Sequence, residues 1–314
     1  MNSFDHDDHA SSIAPLHRRA FLQCATAFAG SLTIAKFLPL PAFAQDQPPV
    51  RLKDYPFFPF CIDWHDSKKR NFAEQATMLK ELGYEGVGHI WLDKVDERLK
   101  TLDDAGLKLF QITMQVTLAE GKPPYDARFK DVLKLINGRH VQFCLLVGGA
   151  KPSDTSADPR GGAILREMSD LAKDTDAQLL LYPHVSDWIE RIEDSVRVAQ
   201  KVDRANVGAM FNLCHWLRVD KQRDYASLLK QAMPRLWAVS LNGADEHDDK
   251  PGWEHYIQPL DKGDFDVGRF LKTLKELGYR GPIGLQCYGI GGDTREHLAR
   301  SMAAWRKLSE NLKK

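Results

Sequence analysis

A phrase early in the chain, Leu79-Lys80-Glu81-Leu82-Gly83-Tyr84-Glu85-Gly86, returns near its end as Leu274-Lys275-Glu276-Leu277-Gly278-Tyr279-Arg280-Gly281. A looser third copy runs Leu102-Asp103-Asp104-Ala105-Gly106-Leu107-Lys108. Each reads as the last turn of an amphipathic helix, a glycine able to take the left-handed capping conformation, and the start of a strand. Helix-to-strand junctions repeated in series require βα units, and βα units in series require a parallel sheet.

Apolar runs supply strands at 59–64, 86–91, 108–116, 141–147, 178–183, 207–213, 236–242 and 282–288. Helix-patterned segments separate them, for example 72–82, 163–174, 188–202, 225–233 and 267–277, and a last helix at 294–312 closes the ring. Eight βα units in about 260 residues predict a single (β/α)8 TIM barrel. The alternative, a doubly wound sheet, lacks a glycine-rich phosphate loop after its first strand. With 314 residues, 43% of them hydrophobic, the chain can bury a barrel-sized core. Its 43 basic and 43 acidic residues balance, which argues against a nucleic-acid partner needing a basic face.

The N-terminus has a different character. Arg18-Arg19 precedes an apolar stretch from Ala25 to Leu40, which closes on Ala42-Phe43-Ala44. This resembles a twin-arginine export signal with an A-x-A cleavage site. Lys36, Pro39 and Pro41 break the run short of the ~20 residues a membrane span needs, so no stable anchor is expected after cleavage. The expected organisation is a signal peptide at 1–44 and a linker at 45–54, followed by the barrel domain at 55–314. It implies the twin-arginine export machinery as a partner and the periplasm as destination, with cleavage after Ala44. Cys61, Cys144, Cys214 and Cys287 show no metal-type spacing and read as buried free thiols.

The strands of the second half end in polar bursts: Tyr182-Pro183-His184, Asn212-Leu213-Cys214-His215-Trp216, Asn242-Gly243-Ala244-Asp245 and Gln286-Cys287-Tyr288. Strand tips of this kind form the active end of a β/α barrel. His184 and His215 are the acid/base candidates, because imidazole titrates near neutral pH. Asn212, Asn242 and Gln286 both donate and accept hydrogen bonds, which suits the hydroxyls of a sugar; the alternative is a buried layer bonded only to itself. Tyr182, Tyr288, Trp64, Trp91, Trp216 and Trp253 offer flat faces, for stacking or for packing. Asp63, His65 and His89 lie at the ends of the first two strands. Asp245 is the nearby carboxylate, in an acidic run that otherwise reads as a solvated loop. Serine-nucleophile, nucleotide-binding and His-Glu-x-x-His motifs are absent.

On these phrases the chain from about Tyr55 to Leu312 resembles the xylose-isomerase-like barrel superfamily, and within it the exported sugar phosphate isomerase/epimerase branch. The resemblance implies proton transfer beside the carbonyl of a small-molecule sugar or keto-sugar. In the family's epimerases a Glu, an Asp, a His and a Glu on strands five to eight hold a divalent metal. Those positions match Tyr182, Asn212, Ser240 or Asn242, and Gln286 here. The histidine three residues after the strand-six Asp, a substrate contact in the family, matches His215. Hard divalent cations want anionic oxygens, so no metal and no other cofactor is expected, although His184 remains a conceivable replacement ligand. An enzyme of this type must move its proton with His215, His184 or Tyr182. The expected substrate-binding residues are Asn212, Asn242, Gln286, Tyr288, His89, Trp216 and Asp245. The alternative is a non-catalytic periplasmic carbohydrate-binding barrel. No basic phosphate clamp is evident at the strand tips; Arg218, one of the few cations near them, is the only candidate for one.

Overall fold

A computed structural model of the chain describes residues 55–247 and 252–312. The expected export signal, the linker and the acidic residues Asp248 and Asp249 lie outside the described residues. The three glycines of the repeated junctions all take the left-handed conformation, with φ of 87° at Gly83, 69° at Gly106 and 76° at Gly278. Each ends a helix, α1 (Phe72–Leu82), α2 (Val95–Ala105) and α8 (Val267–Glu276), and turns the chain toward the following strand.

The strands are β1 (Phe57–Phe60), β2 (Gly86–Ile90), β3 (Lys108–Thr117), β4 (Gln142–Gly148), β5 (Gln178–Leu181), β6 (Val207–Asn212), β7 (Leu236–Leu241) and β8 (Ile283–Gln286). Every ladder is parallel, and the order β1-β8-β7-β6-β5-β4-β3-β2 is that of a TIM barrel. Where β1 meets β2 the ring closes by packing: a Cβ on Gly88 would stand 2.7 Å from the Cβ of Phe60. That unladdered side also tolerates Pro59, which has no N–H to give. The outer helices between α2 and α8 are α3 (Phe129–Leu135), α4 (Asp158–Ala172), α5 (Ile192–Val202), α6 (Leu213–Asp220) and α7 (Tyr225–Ala232); α9 (Thr294–Asn311) completes the set. Among the described residues no helix is long and apolar enough to cross a membrane.

Two boundaries differ from the sequence expectation. β1 stops at Phe60 rather than Trp64, because Cys61 adopts φ 59° and turns the chain. β6 ends at Asn212, whose side chain accepts from the backbone N–H of His215 and so caps α6, a helix the apolar pattern had concealed.

The larger core lies between strands and helices, while Cys144, Leu180, Tyr182, Met210 and Ala238 cluster separately. At the opposite end of the strands Gln111 donates to Gln142 at 3.0 Å and Gln142 to Gln178 at 2.9 Å. That amide chain satisfies the polar groups that face inward there.

Candidate active site

At the C-terminal ends of the strands is a cavity of about 420 Å³. Cys61, Trp64, Trp91, Tyr182, His184, Val185, Asp187, His215, Trp253, Gln286 and Tyr288 contribute to its lining. Trp64 and Trp91 stand with ring centroids 6.2 Å apart, and the edge of Tyr288 meets Trp64 at 6.0 Å. The rim is held in costly backbone: Cys61, Trp91 and Ser186 have φ of 59°, 67° and 69°. Non-glycine residues pay for that conformation with steric strain, which proteins retain mostly at functional sites.

His184 and His215 are the centre of the cavity's chemistry, with ring centroids 4.3 Å apart. Nδ1 of His184 lies 3.0 Å from the carbonyl oxygen of Val185 and 3.4 Å from a carboxylate oxygen of Asp187. Both neighbours are acceptors, so the proton sits on Nδ1 and the Nε2 lone pair is left to accept one. The N–H of the same residue, Val185, donates to Nδ1 of His215 at 3.2 Å. His215 therefore carries its proton on Nε2. Burial, and then the neighbouring His184, hold it well below the usual imidazole range. One residue, Val185, thus sets the two rings in opposite tautomers, leaving a proton-accepting nitrogen on His184 and a hydrogen-bond donor on neutral His215. Asp187 sits over Gly148, where a Cβ would stand 2.9 Å from its carboxylate oxygen. Burial raises its pKa, while the adjacent His184 opposes the shift. The sequence does carry a signal for Asp187: it lies three residues after His184, in a turn where its N–H donates to the His184 carbonyl at 3.0 Å.

Beside this pair the Tyr182 oxygen accepts from Nδ2 of Asn212 and, at 3.3 Å, from Nε2 of Gln286. The amide oxygens turn elsewhere. Oδ1 of Asn212 accepts from Cys214 Sγ at 3.0 Å and from the His215 N–H, and Oε1 of Gln286 accepts from the Tyr288 N–H at 3.1 Å. Burial, followed by the nearby thiols, raises the Tyr182 pKa far above the ordinary phenol value, with Gln286 opposing. The phenol therefore stays protonated, and with its lone pairs taken it has its own proton to donate.

Where the resemblance implies a metal cage, the residues present do not fit one. Amide N–H groups converge where a cation needs oxygens. Among the described residues no group of three His, Cys, Asp or Glu side chains is arranged to hold an ion.

The remaining expected residues lie outside the cavity lining. Asn242 donates to the carbonyls of Gly243 at 2.8 Å and Tyr256 at 2.6 Å, fixing the loop after β7. His89 contacts the Asp93 carbonyl at 2.8 Å and accepts from Arg98 at 3.4 Å; burial and then the Arg98 charge lower its pKa. Buried Arg98 also donates to Asp63 at 2.7 Å and Gln75 at 2.8 Å, which gives Asp63 a structural partner. Trp216 belongs to α6 and packs on Phe211, Tyr225 and Phe265. Asp245 accepts from Gln258 at 2.8 Å. Arg218 is exposed, over the Tyr256 ring at 5.6 Å. Tyr182, His184, His215, Gln286 and Tyr288 are brought together, with Asn212 directly behind Tyr182.

Comparison with curated proteins gives no match. Solved structures do resemble the chain. D-psicose 3-epimerase with D-tagatose, from Clostridium cellulolyticum H10, is 14% identical over 82% of this chain and 98% of its own, with a TM-score of 0.62. The 3-keto-D-glucoside 4-epimerase from E. coli is 15% identical over 81% of this chain and 99% of its own, at a TM-score of 0.63. The probable 3-DHS dehydratase of petrobactin synthesis from Bacillus anthracis is 13% identical over 80% and 98%, at 0.64. At such identities the likeness is one of fold. A family model described as xylose isomerase-like TIM barrel matches residues 76–308. The chain belongs to the xylose isomerase-like TIM barrel family.

Proposed function

We propose that this barrel is an isomerase, epimerase or lyase of a neutral keto-sugar, moving a proton beside the carbonyl without a metal ion. The observation that carries the reading is the backbone of Val185, whose carbonyl faces Nδ1 of His184 and whose N–H donates to Nδ1 of His215. A carbonyl oxygen accepting from His215 Nε2–H and the Tyr182 hydroxyl would be polarised, which acidifies the neighbouring C–H. Nε2 of His184 takes that proton, and Asp187 stabilises the imidazolium that results. Return of the proton to the adjoining carbon, with the carbonyl shifted, is isomerisation. Its return to the original carbon on the other face is epimerisation. Loss of a β-hydroxyl as water, taking the proton back from the His184 imidazolium, is elimination. One base serves the first and last of these without a second carboxylate.

Charge supports a neutral substrate. Among the described residues lining the cavity, Asp187 is the only Asp, Glu, Lys or Arg, so nothing there clamps a phosphate. The sugar epimerases among the structural neighbours favour the same substrate class. A second reading, ligand binding without turnover, draws on the Tyr182–Asn212–Gln286 layer, whose amides bond to the phenol rather than standing free. The N-terminal sequence supports export by the twin-arginine route, with activity in the periplasm. Solvent-proton exchange into keto-sugars, in the presence of EDTA, tests the catalytic reading. Exchange that depends on His184 supports it, and sugar binding with no exchange leaves only the second.

A further inference from the structure

A second cleft of about 530 Å³ adjoins the reaction cavity, and Trp91 and Gln115 line both. We propose that this cleft binds the second ring of a glycoside, so that the substrate is a neutral disaccharide or glycoside reacting at one ring only. The inference rests on the sugar-binding reading of the first cavity and names its substrate class.

Three features make the cleft a built site rather than a gap between loops. Its outer wall is fastened to β3 by the bridge of Val116 to Tyr125 and by the Thr117 N–H, which donates to the Pro124 carbonyl at 2.8 Å. Its exposed edge is tied together by Arg128, which pairs with Asp93 from the loop after β2 and with Asp126 from the loop after β3. Trp91, at the partition, is held at φ 67° by a chain that also donates its N–H to Thr113 at 2.8 Å. A bulky side chain in that conformation is disfavoured unless its position is used.

The chemistry of the lining selects the ligand. Trp91 and Tyr125 offer ring faces of the kind that stack on the C–H face of a pyranose. The charges cancel, Lys122 and Arg128 against Asp93 and Asp126, so the cleft favours a neutral polyol over a phosphate or a carboxylate. With Gln115 and Thr117 they provide both donors and acceptors, matching hydroxyls that are each both. A monosaccharide held at His184 and His215 would leave this cleft to water. A ring attached through the glycosidic oxygen would fill it.

The test is calorimetric titration of the protein with D-glucose, methyl α- and β-D-glucoside, maltose and cellobiose. At least one disaccharide is expected to bind about tenfold more tightly than glucose, the gain of one stacked ring. That advantage should vanish in Tyr125→Ala and persist in Tyr125→Phe, with glucose affinity the same in both and melting curves verifying the fold. Equal affinity of the wild-type protein for glucose and both disaccharides overturns the second subsite while leaving the first cavity's reading intact. A disaccharide advantage untouched by Tyr125→Ala overturns it as well. Binding of none of the five sugars overturns the second subsite, while the first cavity's reading stands or falls on proton exchange into keto-sugars.

Discussion

The backbone N–H of Val185 donates to Nδ1 of His215 across 3.2 Å, while the carbonyl of the same residue lies 3.0 Å from Nδ1 of His184. A donor can only face an unprotonated ring nitrogen and an acceptor only a protonated one, so this single residue assigns both tautomers. Nitrogen-15 NMR of the histidine rings checks the assignment. His215 should appear as the neutral Nε2–H form, with no change between about pH 5.5 and 8, since burial keeps its pKa well below the ordinary 6.5. An Nδ1–H form, or protonation of His215 near pH 6.5, would contradict it.

Asp187 should act through His184 rather than on the sugar. Its oxygen is 3.4 Å from Nδ1 of that ring, on the side away from the proton-accepting nitrogen. Asp187→Asn is expected to lower kcat roughly 100-fold while KM changes less than about threefold, because the imidazolium formed in the reaction loses its counter-charge. A variant that raises KM and spares kcat would instead make Asp187 a substrate contact.

Removing the Tyr182 oxygen should cost stability as well as chemistry. In Tyr182→Phe the Nδ2 of Asn212 and the Nε2 of Gln286 lose a buried acceptor, a penalty of about 1–3 kcal/mol. Urea unfolding measures it, and a variant as stable as the wild type would show that the layer is not closed through this oxygen.

Much of this was legible in the chain, and the failures share a physical origin. The repeated Leu-Gly-Tyr junctions predict the barrel because left-handed glycine after a helix is a local property; Gly83 and Gly278 both adopt it. His184, His215, Tyr182, Gln286 and Tyr288 stand in the cavity because strand ends point one way in a parallel barrel. Trp216 and Asn242 share that strand-end position in sequence but face elsewhere. An unexpected helix starts at Leu213 and carries Trp216 outward, and the loop carbonyls of Gly243 and Tyr256 capture Asn242. His89 is diverted by Arg98, which arrives from α2. Arg98 and Tyr256 lie outside the strands whose ends they capture, and no periodicity announces such partners. Asp187 belongs to a turn rather than to a strand, so its signal is its spacing from His184 and not the strand-end pattern.

Acid should destabilise the fold through His297. Burial lowers its pKa to about 4, against the pull of Asp66 and Asp293, and its Nδ1 is buried without a partner. A folded-state pKa below the unfolded 6.5 means that the unfolded chain binds the extra proton. The stability is therefore complete above about pH 6.5 and is lost as the pH falls toward 4, on the order of 3 kcal/mol in all. His297→Gln should flatten this decline when unfolding is followed from pH 7.5 to 4.5. An equal decline in both proteins would place the acid sensitivity elsewhere.

The most direct test of metal-free proton transfer is deuterium uptake from heavy water into neutral keto-sugars, 3-keto-glucosides among them, by protein stripped with EDTA and checked by elemental analysis. Exchange at the carbon beside the carbonyl is expected to survive metal removal and to fall at least ~100-fold in His184→Ala, with sugar binding retained. Exchange that stops on metal removal and returns with a divalent ion, or that proceeds undiminished in His184→Ala, would contradict the assignment.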